Sequence, residues 1–139
     1  MSARVFLDTN ILMYAHDRGS GPKHQRSRSL IEQLWQSGAG VVSTLVLQEL
    51  CVNLQRKCAA PLSIEEIRRI LQDYMTWQIV TNSATAVLQA LDLQRQFQIS
   101  FWDAMILQAA ETGGCDNLYS EDFAHNQKYG SVRVFNPFL

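Results

Sequence analysis

The chain has 139 residues, of which 47% are hydrophobic, and its formal net charge is −1. This length and apolar content suffice to bury one core and argue against two, so we expect residues 1–139 to form a single domain. No apolar run reaches the roughly 18 residues that span a bilayer, and the first residues lack the pattern of a signal peptide. The composition therefore excludes a membrane protein and predicts a soluble, cytoplasmic one.

Short apolar runs alternate with longer segments of helical periodicity. In chain order, the pattern predicts strands over 4–7, 40–43, 78–80, 117–119 and 132–135, and helices over 10–16, 24–37, 45–57, 64–77, 84–97 and 101–112. Local signals mark two helix ends, the capping box Ser63-Ile64-Glu65-Glu66 and the stop Gly113-Gly114. Strands that alternate with helices pair in parallel, so we expect a parallel sheet covered on both faces.

Basic residues cluster near the start of the second predicted helix. Arg18 lies within a loose stretch, 17–22, that contains glycine and serine, and Lys23, Arg26 and Arg28 follow it. Lysine and arginine neutralise phosphate groups, so these four residues are candidate phosphate contacts. The alternative is that they form an ordinary solvated face.

Acidic residues directly follow two of the predicted strands. Asp8 comes after strand 4–7, and Ser120-Glu121-Asp122 comes after strand 117–119. In open α/β folds, ligands bind at the edge of the sheet where the carboxyl ends of the strands lie. Simpler roles remain open, because Asp8 can cap the next helix and 120–122 can form a polar turn.

Two further acids lie near the starts of predicted helices. Glu49 lies about one turn into helix 45–57 among apolar neighbours, and Asp103 opens helix 101–112, which is otherwise nearly all apolar. A carboxylate buried without a partner is costly, so both are candidates for a functional site. Alternatively, Glu49 lies on the polar side of its helix, and Asp103 forms a capping box with Ser100.

These contexts place four acids at one edge of a parallel sheet. Carboxylates gathered there repel by roughly 4 kcal/mol per pair at an effective dielectric of 20, unless protons or cations bind. Oxygen ligands alone select Mg²⁺ or Mn²⁺ over zinc, and such a site hydrolyses phosphodiester bonds with an activated water. The predicted catalytic and metal-binding residues are Asp8, Glu49, Asp103 and Asp122. Three polar neighbours are predicted to orient these carboxylates, namely Thr9, Asn10 and Ser120.

The charge outside this acid cluster has the opposite sign. With the four acids left out, the formal charge of −1 becomes +3 for the rest of the chain. An acidic pocket in a mildly basic surface suits a nucleic-acid substrate.

Four short motifs follow one another in a recognisable order. They are Phe6-Leu7-Asp8-Thr9-Asn10, Ser43-Thr44-Leu45-Val46-Leu47-Gln48-Glu49, Ser100-Phe101-Trp102-Asp103-Ala104, and Leu118-Tyr119-Ser120-Glu121-Asp122-Phe123 leading to Asn136-Pro137-Phe138. With these motifs the sequence resembles the PIN-domain ribonucleases, and most closely the VapC-like toxins of bacterial type II toxin–antitoxin pairs. The resemblance covers nearly the whole chain and implies a three-layer α/β/α sandwich with a five-stranded parallel sheet.

The resemblance also implies roles for residues and partners. Asp8, Glu49 and Asp103 match the family's metal-site acids, Asp122 matches the less constant fourth acid, and Glu121 lies beside that motif position. The implied function is a Mg²⁺- or Mn²⁺-dependent endoribonuclease, the toxin of a pair, which acts on RNA, forms homodimers and is neutralised by a small antitoxin. Two alternatives stay open: a housekeeping RNA-processing nuclease, and a PIN domain that binds RNA or a partner without cleaving it.

Overall fold

The computed structural model describes residues 3–139. Its elements, in chain order, are β1 (Val5–Leu7), α1 (Thr9–His16), a 3₁₀ turn (Arg18–Ser20), α2 (Pro22–Ser37), β2 (Gly40–Ser43), α3 (Thr44–Arg56), α4 (Ile64–Tyr74), β3 (Gln78–Val80), α5 (Ala84–Phe97), α6 (Phe101–Thr112), β4 (Asn117–Tyr119), β5 (Lys128–Tyr129) and β6 (Val132–Phe135). Every predicted strand and helix is present, and the capping box that opens α4 at Ser63 is formed with Glu66.

Two helices differ from their predicted bounds by more than one residue. Helix α2 begins at Pro22 rather than at residue 24, because proline is suited to the first turn of a helix, where its missing N–H is not needed. Helix α4 ends at Tyr74 rather than at residue 77. Beyond it the chain turns toward β3, and the Thr76 hydroxyl donates a hydrogen bond to the Asp73 carbonyl at 2.7 Å.

The sheet contains six strands among the described residues, in the order β3-β2-β1-β4-β6-β5. The five predicted strands pair in parallel, as expected. The sixth, β5, was not predicted, and it pairs with β6 in the antiparallel sense at the sheet edge. It has only two residues, too few to show an alternating pattern, and its connection to β6 depends on Gly130 at φ +61°.

The central strands are buried on both faces. Phe6, Leu7, Val42, Leu118 and Val134 are fully inaccessible to solvent, which explains why these strands read as continuous apolar runs. Burial of each such side chain contributes about 1.5–3 kcal/mol relative to exposure. No helix within residues 3–139 is long and apolar enough to cross a membrane.

Helices cover both faces of the sheet. The chain passes outward from β1 to β2 and β3, then returns to β4 on the other side of β1. Because crossovers between parallel strands are right-handed, this reversal places α5 and α6 on the face opposite α1 to α4. The contacts agree, since α5 packs mainly on α6, whereas α1 packs on α2 and α3. The predicted three-layer α/β/α architecture is therefore confirmed.

Candidate functional site

The direction of the chain reverses between β1 and β4, the two neighbouring strands at the centre of the sheet. Such a point leaves a crevice beyond the carboxyl ends of the strands, because the following segments diverge to opposite faces. Asp8 leaves β1 at this crevice, and 120–122 leave β4 at the same place. The Asp8 N–H donates to the Tyr119 carbonyl at 3.0 Å, which ties the two strand ends together.

A cavity of about 340 Å³ opens at this crevice. The structure brings all four predicted acids to its walls: Asp8 from the end of β1, Glu49 from α3, Asp103 from the first turn of α6, and Asp122 from the segment after β4. Two of the predicted orienting residues, Thr9 and Asn10, also line it.

Asp8 is the most buried of these acids, with 5% of its surface exposed. One of its carboxylate oxygens accepts a hydrogen bond from the Thr9 N–H at 2.7 Å, and the other accepts from the Ser120 hydroxyl at 2.7 Å. The pKa of Asp8 is raised to about 7, chiefly by burial; the hydrogen bonds from Ser120 and Thr9 lower it, and the negative charges of Asp122 and Glu49 raise it. Without a cation nearby, Asp8 therefore binds a proton close to neutral pH.

Glu49 is positioned by the start of the neighbouring helix. The Thr9 hydroxyl donates to the Glu49 carboxylate at 2.8 Å, and this bond joins α1 to α3 across the cavity wall. Ser43, the last residue of β2, is also the N-cap of α3, where its hydroxyl accepts from the Val46 N–H. The end of the strand therefore fixes where the helix begins and which face of it carries Glu49. Glu49 thus faces the cavity rather than forming part of an outer polar stripe.

Asp122 is held by two polar side chains. The Asn10 amide donates to its carboxylate at 3.1 Å, and its backbone N–H donates to the Ser120 hydroxyl at 3.0 Å. Partial burial raises the pKa of Asp122, as do the nearby charges of Asp103 and Glu121, in that order. Ser120 therefore contacts both the Asp8 side chain and the segment that carries Asp122.

The simpler roles considered for Asp8 and Asp103 coexist with their positions in the cavity. Asp8 is the N-cap of α1, and Ser100 is the N-cap of α6, where its hydroxyl accepts from the Asp103 N–H at 3.0 Å. Within the described residues, no return hydrogen bond runs from the Ser100 N–H to the Asp103 carboxylate. That carboxylate remains available to the cavity, because only half of a capping box is formed.

Glu121 does not line the acidic cavity. Its carboxylate accepts from the Tyr14 hydroxyl and forms an ion pair with Lys23 at 2.8 Å. The Lys23 ammonium also lies 4.9 Å from the centre of the Tyr14 ring and 5.1 Å from that of Phe138. This arrangement joins the segment after β4 to α1, α2 and the end of the chain.

The predicted phosphate contacts do not line the acidic cavity. Lys23 is paired with Glu121, and Arg28 lies 3.7 Å from Glu32. Arg26 donates to the Pro137 carbonyl at 3.1 Å, and Arg18 lines a separate cavity beside α2 and α4. Their proposed role stays a prediction, but it concerns surfaces outside the acid group.

Sequence reasoning missed one basic residue at the cavity. Among the described residues, the only lysine or arginine that lines it is Lys57, at the end of α3. The signal was present in the spacing, because Glu49, Asn53 and Lys57 recur every four residues, and residues four apart share a helix face. All three line the cavity.

The acids form an unneutralised group rather than a closed site. In the part of the chain that the structure describes, none of the four pairs with a lysine or arginine. Likewise, within 3–139, no three histidine, cysteine, aspartate or glutamate side chains lie close enough together in this structure to enclose a metal ion. The four carboxylates instead surround a space much larger than one ion.

Comparison with known proteins identifies what the chain is similar to. The PIN-domain family model matches residues 5–130. A toxin–antitoxin complex from Klebsiella pneumoniae is similar in structure, with TM-score 0.68, 20% identity, and coverage of 96% of this chain and 97% of that one. The sarcin-ricin loop cleaving toxin VapC20 from Mycobacterium tuberculosis has TM-score 0.64, 19% identity and coverage of 93% and 98%. DNA-bound VapBC from Salmonella typhimurium has TM-score 0.63, 16% identity and coverage of 96% and 97%. The comparison with curated protein sequences gives no match.

Proposed function

The chain belongs to the PIN-domain family, and we propose that it is a metal-dependent endoribonuclease that hydrolyses RNA phosphodiester bonds. The observation that carries this proposal is the shared cavity of Asp8, Glu49, Asp103 and Asp122 at the reversal point of the sheet. We take these four acids as the catalytic and metal-binding residues. We also propose that the whole chain acts as one nuclease domain.

The oxygen atoms that line the cavity suit a hard divalent cation, which would draw the carboxylates closer together than they lie in this structure. The raised pKa of Asp8 reflects a site that favours neutralisation of its charge, either by a proton or by a cation. The side-chain oxygen of Asn10 is buried without a hydrogen-bond partner in this structure, although the same amide donates to Asp122. Buried polar atoms are nearly always partnered, and either a cation that this oxygen binds or a cation-held water that donates to it would supply the partner. We propose Mg²⁺ or Mn²⁺, because the available donors are all oxygen atoms.

When bound, a cation of this kind lowers the pKa of a water molecule and offsets the negative charge of the phosphodiester. The residues of this chain orient the carboxylates that would hold it. Thr9 and Ser120 fix the two oxygens of Asp8, and Thr9 also holds Glu49. Asn10 holds Asp122. The proposal needs no nucleophilic side chain, since water attacks the phosphorus.

We further propose that the biological role is that of a toxin in a toxin–antitoxin pair. The similar structures support this role, because they are a toxin–antitoxin complex, a toxin that cleaves the sarcin-ricin loop, and VapBC bound to DNA. The proposed partners are a small antitoxin protein and a second copy of the chain. A small open reading frame directly upstream of the gene would support this role over that of a housekeeping RNA-processing nuclease.

The test is cleavage of single-stranded RNA by the purified protein, with and without Mg²⁺ or Mn²⁺. We expect cleavage that EDTA abolishes and products with 5′-phosphate and 3′-hydroxyl ends, because water rather than the ribose 2′-hydroxyl attacks. The Asp8→Asn protein is the control for a contaminating nuclease. Cyclic phosphate products or EDTA-resistant cleavage would contradict the mechanism, and RNA binding without cleavage under all conditions would support the non-catalytic alternative.

A further inference from the structure

A large aromatic side chain stands exposed at the rim of the acidic cavity. Trp102 lines the cavity beside Asp103, yet 62% of its surface is accessible to solvent. The neighbouring ring of Phe101 lies 5.3 Å away at an interplanar angle of 75°, an edge-to-face contact that supports one side of the indole. The Trp102 indole is therefore held at the entrance of the cavity with much of its surface open.

The α3 wall of the same cavity carries a positive charge. Glu49, Asn53 and Lys57 form one face of α3, which leads from the acid group to an exposed ammonium at the helix end. Among the described residues, Lys57 is the only lysine or arginine that lines this cavity. The site therefore combines acids, an aromatic surface and a cation around one space of about 340 Å³.

We propose that Trp102 is a stacking platform for one unpaired base of the RNA and that Lys57 contacts a phosphate of the same strand. This inference rests on the proposed nuclease function and names two residues that would hold its single-stranded substrate. Aromatic side chains bind single strands by stacking on bases, and lysine binds the backbone by charge. A base in a duplex is already stacked on both faces, so it cannot reach Trp102 without leaving the helix. The substrate is therefore unpaired beside the cleaved bond.

Other exposed apolar side chains do not share this position. Val87, Leu88 and Leu91 lie together on α5 and do not line the acidic cavity. Leu88 is as exposed as Trp102, at 64%, and so provides a matched control for the removal of an exposed apolar side chain. Lys128, an exposed lysine on β5 that does not line the cavity, serves the same purpose for Lys57.

The test measures binding of a fluorescein-labelled RNA of eight nucleotides by fluorescence anisotropy in the presence of Mn²⁺. All variants carry Asp8→Asn, which removes cleavage so that the RNA stays intact. We expect Trp102→Ala to weaken binding roughly 5- to 150-fold, the range for loss of one stacked base, and Trp102→Phe to recover much of it. Leu88→Ala should bind as the parent does. Lys57→Ala, unlike Lys128→Ala, should reduce the slope of log affinity against log salt by about 0.7, the value for one phosphate contact on a single strand.

A second measurement changes the RNA instead of the protein. A single abasic nucleotide is moved along the RNA, and we expect one position to weaken binding by a factor similar to that of Trp102→Ala. In the Trp102→Ala protein that position should lose its effect, because the base and the indole contribute through the same contact. A duplex of the same sequence should bind more weakly than the single strand and should not respond to the Trp102 change.

The outcomes separate this inference from the proposed function. If wild-type protein does not cleave RNA, the nuclease proposal is wrong. If it cleaves, but Trp102→Ala has unchanged KM and unchanged RNA affinity, the stacking role alone is refuted. A Trp102→Ala protein that becomes monomeric by sedimentation while RNA binding is unaltered would also refute it and would assign the indole to a protein interface.

Discussion

The raised pKa of Asp8 predicts how the metal-free protein responds to pH. In the unfolded chain Asp8 titrates near its ordinary pKa of 3.8, whereas in the folded protein the pKa is about 7. Between these values the folded state binds the proton more tightly, so the free energy of unfolding falls as pH rises and levels off above pH 7. The full shift corresponds to about 4 kcal/mol, of which about 2–3 kcal/mol is lost between pH 5 and 8.

Asp8→Asn removes this dependence because the amide carries no charge at any pH. The amide has a constant cost of its own, since it brings N–H donors to a position where Thr9 N–H and Ser120 O–H already donate. One buried donor left without an acceptor costs about 1–3 kcal/mol. That cost is nearly the same at pH 5 and 8. The stability of Asp8→Asn relative to wild type should therefore rise by about 2–3 kcal/mol from pH 5 to 8.

The assay is urea unfolding in EDTA at pH 5 and pH 8, followed by tryptophan fluorescence. Effects of titrating groups that do not interact with Asp8 cancel when wild type and Asp8→Asn are compared at each pH. Asp92→Asn is the control, because Asp92 is exposed and lies 3.7 Å from Arg95 on the helix surface. If the difference between wild type and Asp8→Asn were the same at both pH values, the reasoning that Asp8 binds a proton in the folded state would be wrong.

Three further predictions concern Asp103, Glu121 and the partly buried histidine of α1, His16. Asp103→Asn should abolish cleavage, because it removes charge from the cavity. For the same reason it should suppress the rise in melting temperature that Mn²⁺ produces in wild type. An unchanged rise, measured by calorimetry, would place the ion elsewhere. Glu121→Gln should lower the cleavage rate less than Asp122→Asn, since Glu121 is engaged by Tyr14 and Lys23, and the reverse order would overturn the assignment. Burial lowers the pKa of His16 to about 4, helped by the charges of His24 and Arg28, so the unfolded state binds the proton first as pH falls. The contribution of this histidine is opposite in sign to that of Asp8. In urea unfolding in EDTA, the stability of His16→Gln relative to wild type should therefore rise by about 3 kcal/mol from pH 6.5 to 4, and an unchanged difference would contradict this account.

The sequence alone determined five of the six strands, the helices and the four acids, because each depends on local patterns. Apolar runs such as Val5-Phe6-Leu7 are buried on both faces of the sheet, and the capping box at Ser63 is complete within four residues. The position of Asp8 directly after a strand was likewise readable, since every parallel strand ends at the same edge. The family resemblance rested on motifs of this kind.

Only the tertiary structure decided how these parts meet. The order of strands makes β1 and β4 neighbours, and this places Asp8 beside Ser120 and Asp122, more than a hundred residues away in the chain. No local pattern specifies which strands will be neighbours, because pairing depends on the packing of the whole chain.

The tertiary structure also decided which of two neighbouring acids lines the cavity. Glu121 and Asp122 are adjacent in sequence, but Glu121 points toward Tyr14 and Lys23, whereas Asp122 faces the cavity. Similarly, Lys57 lines the cavity and Lys23 does not, although Lys23, and not Lys57, was a candidate phosphate contact in the sequence. A charged side chain goes where its partners and solvent lower its free energy, and those partners come from distant parts of the chain that only folding brings together.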